Sequence, residues 1–126
     1  MMQVILWVGF GGFIGAIMRF LLSSFVQKSA GVNFPVGTLS VNVLGSFLIG
    51  FLVLYFQEHL SVEYRALVIT GLLGALTTFS TFSYESVMLL EDLAYMKAGA
   101  NIMINVLLSL SATMFGMTIF KRFFLA

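Results

Sequence analysis

Charge is scarce in this chain of 126 residues: 9% of positions carry Asp, Glu, Lys or Arg, against 60% that are hydrophobic. No soluble domain of this length needs so much apolar surface, so the class is integral membrane protein, all-α. Cysteine is absent, which excludes disulfides, thiolate chemistry and cysteine metal sites. The single histidine, His59, falls in a polar loop and reads as solvated. The net charge of +1 carries no message about nucleic acid. No nucleophile, base and orienting group fall together, so the chain reads as a non-enzyme. Acidic residues are missing from the centre of the first, second and fourth apolar runs, and Glu85 lies toward the end of the third. Proton-coupled and cation-exporting sites ordinarily need a carboxylate at membrane depth.

What is present is apolar length. Four spans of about 20 residues take up most of the chain. They run roughly 4–26, 36–56, 65–90 and 98–120, a single four-span domain over 1–126 with short loops. The only proline, Pro35, stands where a helix begins. Met1-Met2-Gln3 lacks a basic leader and no convincing cleavage site follows, so the first run reads as a retained span. Trp7 fits an interfacial belt. Arg65, Lys121 and Arg122 fall on one side of the membrane and Arg19, Lys28 and Lys97 on the other. Three against three gives no positive-inside bias, and the tally becomes three against two if Arg19 lies inside its span. A chain without bias inserts both ways, which favours an antiparallel, dual-topology homodimer. Gly11 and Gly15, Gly12 and Ala16, and Ala112 and Gly116 are pairs four apart that let helices approach closely.

Inside the third run stands Thr77-Thr78-Phe79-Ser80-Thr81-Phe82-Ser83, with five hydroxyls and two phenyl rings in seven residues. Polar groups at membrane depth face a partner or a watery path. Hydroxyls at this density compete for backbone groups and weaken a helix. A broken backbone in a membrane is tolerated only where protein buries it or it lines a cavity. Two further stripes repeat every four residues: Thr38, Asn42, Ser46 and Gly50 in the second run, and Asn101, Asn105, Ser109 and Thr113 in the fourth. Interhelical hydrogen bonding alone, at about 0.6 kcal/mol per bond, would make such groups packing glue. Two asparagine-bearing stripes plus the seven-residue segment exceed what glue requires and point to a solute path. The groups on offer are donors (hydroxyls, carboxamides and Arg19), which suit an anion. Phe79 and Phe82 suit an anion if their edges face the path and a cation if their faces do. Core packing is the commoner fate of phenylalanine.

Three blocks in order carry a resemblance. They are Gly11-Gly12-Phe13-Ile14-Gly15-Ala16-Ile17-Met18-Arg19, Gly37-Thr38-Leu39-Ser40-Val41-Asn42-Val43-Leu44-Gly45-Ser46, and Gly71-Leu72-Leu73-Gly74-Ala75-Leu76-Thr77-Thr78-Phe79-Ser80-Thr81-Phe82-Ser83-Tyr84-Glu85. Over nearly its whole length the chain resembles the small dual-topology fluoride channels, the Fluc or CrcB family. The resemblance implies an antiparallel homodimer in the inner (plasma) membrane, with two anion pores lined by both subunits and passive export of fluoride that relieves its toxicity. By similarity, Phe79 and Phe82 turn ring edges to fluoride and Asn42 donates its amide to the ion. Thr38, Ser80, Thr81, Ser83 and Ser109 belong to the polar path, and Arg19 sits in an electropositive vestibule. The break in the third span is expected to expose the carbonyls of Gly74 and Thr77. Together with their counterparts in the second subunit, these would hold a structural Na+ at the dimer centre.

Two other readings compete. A small multidrug-type exporter shares the size and the four spans, but it needs a carboxylate in its first span, where this chain has Arg19. A non-transporting membrane scaffold would use the polar groups only to hold helices together. Glu85 either caps the polar path or ends the third span in solvent.

Overall fold

The computed structural model describes residues 1–125. Four helical spans cover the four apolar runs and extend beyond them. The first is α1 (Met2–Ala30), the second α2 (Val36–His59) and the last α6 (Tyr95–Phe124). The third span starts as α3 (Val62–Arg65), passes through a π-helical stretch (Ala66–Leu73) and closes with one turn, α4 (Gly74–Leu76). It resumes as α5 (Phe79–Glu91), so the backbone is interrupted at Thr77 and Thr78. π-Helical geometry is rare and tends to mark functional sites.

The connections are short because the helices run on. Gly31 takes the left-handed conformation that ends α1, with φ 61°. The Gln27 side chain then ties the turn: its Nε2 donates to the Val32 and Phe34 carbonyls at 3.2 and 2.9 Å, and its Oε1 accepts from the Gly37 N–H at 3.0 Å. One of the free N–H groups at the start of α2 is thereby satisfied.

Close packing rests on small residues. A side chain on Gly11 or Gly15 would overlap the backbone oxygen of Leu67 or Leu72, so α1 lies backbone to backbone on the third span. Gly50 meets Thr113 and Gly116 meets Phe47 in the same way, drawing α2 onto α6. By contrast, a side chain on Gly12 would meet nothing closer than 3.9 Å, so that position has room for one. The buried core is small, centred on Val41, Leu73 and Leu76. Large apolar side chains cover much of the outside, as a lipid-facing surface requires.

Arg19 departs from the side-of-membrane grouping. It lies half-buried within α1, eleven residues before Ala30, or about 16 Å along the axis. A charged residue suggests a span end because burying it is costly, but here the helix continues past it. The tally of basic residues at the ends is therefore three against two.

Gly15→Ala should lower the unfolding midpoint in detergent, because overpacking against fixed backbone costs typically about 1–3 kcal/mol. Gly9→Ala, with open space around it inside the same helix, should leave the midpoint unchanged or raise it. Equal midpoints for the two variants would show that the α1 contact is not tight.

Candidate anion path

The interruption at Thr77–Thr78 has a specific partner. In an unbroken helix the Thr78 N–H would bond to the Gly74 carbonyl. Here it donates to Asn42 Oδ1 at 2.7 Å, and Asn42 Nδ2 donates back to the Thr78 carbonyl at 3.1 Å. One carboxamide thus satisfies both polar groups of the residue where the helix stops. Such groups would otherwise be stranded in a medium with no water. Thr78 also caps α5: its Oγ1 accepts from the Thr81 N–H at 3.1 Å and donates to Thr81 Oγ1 at 3.0 Å. The Thr77 hydroxyl bonds back to the Leu73 carbonyl at 3.1 Å, closing the upper half-helix.

Restarting the helix at Phe79 sets the phase of everything after it. Phe79, Phe82 and Ser86 fall along one side of α5 (Phe79–Glu91), three and four residues apart. The two rings are neighbours, with centroids 5.4 Å apart and planes tilted by 60°. Phe82 is 8% exposed and Phe79 79% exposed. Both border an open-sided cavity of ≈ 440 Å³ between α2, the third span and α6. Its polar wall is Asn42, Ser46, Thr77, Thr78, Asn105 and Ser109, and Gly74 lies at its edge.

A column of hydrogen bonds continues from this cavity toward the α1–α2 turn. Asn42 Nδ2 donates to Asn105 Oδ1 at 3.3 Å, and Asn105 Nδ2 donates to the carbonyl and to Oδ1 of Asn101, both at 2.9 Å. Asn101 Nδ2 donates to Ser86 Oγ at 2.9 Å, and the Ser86 hydroxyl bonds to the Phe82 carbonyl at 2.8 Å. Near the end of the column Thr38 Oγ1 donates to Glu85 Oε1 at 2.7 Å. The other oxygen, Oε2, is buried and has no hydrogen-bond partner among the described residues. Glu85 borders a second cavity of ≈ 330 Å³ together with Gln27, Asn33 and Tyr84. In the other direction, Thr113 Oγ1 bonds to the Ser46 and Ser109 carbonyls at 3.0 and 3.1 Å.

The larger cavity therefore brings together Asn42, Phe79, Phe82, Ser109, Gly74 and Thr77. It does not take in Thr38, which is held by Glu85, or Arg19. Nor does it take in Ser80, Thr81 and Ser83, which lie exposed on α5. Met103 is exposed and borders neither cavity. Four members of the polar column had no assigned site role in the sequence: Thr78, Ser86, Asn101 and Asn105. Asn101 and Asn105 belonged to a visible stripe, and Thr78 carries the signature of a capping residue ahead of Phe79.

Long apolar helices enclosing a bonded polar column define a multi-pass membrane protein with a candidate solute path. The chain matches the family described as CrcB-like protein, Camphor Resistance (CrcB), over residues 6–117, and it belongs to that family. It is 57% identical over 121 residues to a fluoride-specific ion channel FluC from Sulfurovum sp., covering 96% of each chain. A protein of the same name from Nitratiruptor sp. is 51% identical over 97% of this chain and 95% of that one. Another from Campylobacter jejuni is 49% identical over 96% of this chain and all of its own length.

Thr78→Ala removes the α5 cap and should destabilise the protein by about 0.5–2 kcal/mol, whereas Thr78→Ser should retain most of that stability. The check is denaturant unfolding in micelles. Indistinguishable variants would count against the cap.

Proposed function

We propose that this protein is a fluoride-selective ion channel that lets accumulated fluoride leave the cell passively across the plasma membrane. Membership of a family whose relatives are fluoride-specific ion channels carries this reading. It displaces both the multidrug-type exporter and the scaffold, and it makes the chain a transport protein rather than an enzyme. The physical logic agrees. Fluoride holds its hydration shell tightly, so a selective path must replace water with many close groups without trapping the ion.

The working unit is an antiparallel homodimer with two pores. Ser83 supports this, because it lies exposed on the outside of the protomer within the third span, whereas the Ser80 and Thr81 hydroxyls already meet Thr78 Oγ1. Polar groups at that depth need a partner or a watery path. Phe79, largely uncovered in the protomer, supports it too, since the cavity it borders is open on that side. A second copy covering this face would complete the wall. In that assembly the edges of Phe79 and Phe82 approach the ion, while Ser80, Thr81, Ser83 and Ser109 line its route. Thr38 holds Glu85 at one end, and Arg19 contributes positive potential.

Asn42 serves the route by exchange. Both of its Nδ2 hydrogens are engaged, one on Thr78 and one on Asn105, and the latter is the longer bond. An arriving anion takes a hydrogen already satisfied by a neutral oxygen, so the ion finds a donor without leaving one stranded when it departs.

The carbonyl of Gly74, whose usual helical donor is redirected to Asn42, and that of Thr77 at the break suit a structural Na+. Hard backbone oxygens fit a hard cation. Two oxygens from each of two copies would hold it at the dimer centre, and its charge would join the half-helices there.

The testing experiment is efflux from fluoride-loaded liposomes followed with a fluoride electrode. Wild type should empty the vesicles rapidly, and Asn42→Asp should slow release at least roughly tenfold, because a carboxylate repels the anion and faces the Thr78 carbonyl. Equal rates would remove Asn42 from the route, and an inert wild type would overturn the channel reading. Several Lys added at the C-terminus should bias insertion and deplete antiparallel dimers. A tag still found equally on both membrane faces would show that charge balance does not set topology.

A further inference from the structure

The order of hydrogen bonds along Asn42, Asn105 and Asn101 is fixed at both ends by backbone. The Thr78 N–H can only donate, so Asn42 must present Oδ1 to it and turn Nδ2 toward Asn105. The Asn101 carbonyl can only accept, so Asn105 must turn Nδ2 toward it and present Oδ1 to Asn42. Asn105 is 6% exposed and Asn101 is fully buried, which leaves little room for either carboxamide to rotate. Both Nδ2 hydrogens of Asn105 point toward Asn101, so it has no donor left for an anion.

From this geometry we infer that Asn105 is a specificity-determining positioning residue: its Oδ1 is the resident acceptor with which a permeating anion competes for the Asn42 Nδ2 hydrogen. Asn105 acts through Asn42 and does not itself ligate the ion. The inference rests on the channel reading above. Its physical consequence is a threshold. A strong hydrogen-bond acceptor such as fluoride competes for that hydrogen against a neutral amide oxygen better than a weaker acceptor such as chloride does. The same oxygen reclaims the hydrogen when the ion moves on, which favours release.

Removing the resident acceptor should therefore tighten anion binding and slow exit together. Asn105→Leu, similar in volume, should lower the half-saturating fluoride concentration roughly threefold to tenfold, the equivalent of one ordinary hydrogen bond. Maximal flux should fall, and relative chloride flux should rise. A merely structural role would lower maximal flux and leave half-saturation and selectivity in place. Asn101→Leu removes one of the two acceptors that hold Asn105 Nδ2 and leaves the backbone one, so it should shift the same quantities by less, which provides a second variant if Asn105→Leu does not fold. A binding readout stands apart from conduction: fluoride is titrated against the 15N-labelled Asn42 side-chain amide in micelles. The amide resonance should move, with its midpoint at lower fluoride in Asn105→Leu than in wild type. An unmoved resonance, or equal midpoints in wild type and Asn105→Leu, overturns the inference even if the protein conducts. A shifted midpoint in a protein that conducts no fluoride upholds the Asn105 role and overturns only the channel reading.

Discussion

One carboxamide holds the third span open. Asn42 bonds both the N–H and the C=O of Thr78, and through that pair the helix can stop and restart inside a medium that offers no water. Phe79 and Phe82 come to the cavity because α5 begins where Asn42 and the Thr78 hydroxyl let it begin. The Gly74 carbonyl is released from its helical partner by the same substitution of donors. Without the clamp, an unpaired backbone group at this depth would cost several kcal/mol, and a continuous helix would rotate the rings to other directions.

The clamp is itself held by its neighbours. Asn105, Asn101 and Ser86 pass hydrogen bonds from α2 to α6 and back to α5, ending on the Phe82 carbonyl. Three helices are thereby tied at one level by polar bonds, while the glycine contacts of α1 with the third span and of α2 with α6 supply close packing. The small apolar core contributes comparatively little, as expected where lipid is as apolar as the interior and packing must come from close approach. The polar groups of this column already have partners among themselves.

Much of this was legible in the sequence. Apolar run lengths located four spans, and hydroxyl density in 77–83 located the break. The four-residue stripes marked Asn42 on the second helix and Asn101 and Asn105 on the fourth as polar faces. The partner of the break was not legible, because Asn42 and Thr78 are 36 residues apart and either could have bonded to many groups. The directions of Ser80, Thr81 and Ser83 were hidden for a different reason: a helix that restarts takes a new phase, and periodicity read through the interruption cannot supply it. Arg19 was counted with Lys28 and Lys97 at a span end although it lies inside the first span, and α1 runs well past it. What the described residues expose at mid-span is the ring of Phe79 and the side chains of Ser80, Thr81 and Ser83.

The most direct measurement is the bi-ionic reversal potential of the purified protein in a planar bilayer, with sodium fluoride on one side and equal sodium chloride on the other. A path that exchanges hydrogen bonds with a strong acceptor predicts a reversal potential displaced toward fluoride by at least about 60 mV, one decade of selectivity for a univalent ion. Reversal near zero, with current carried equally by both anions, would contradict the account.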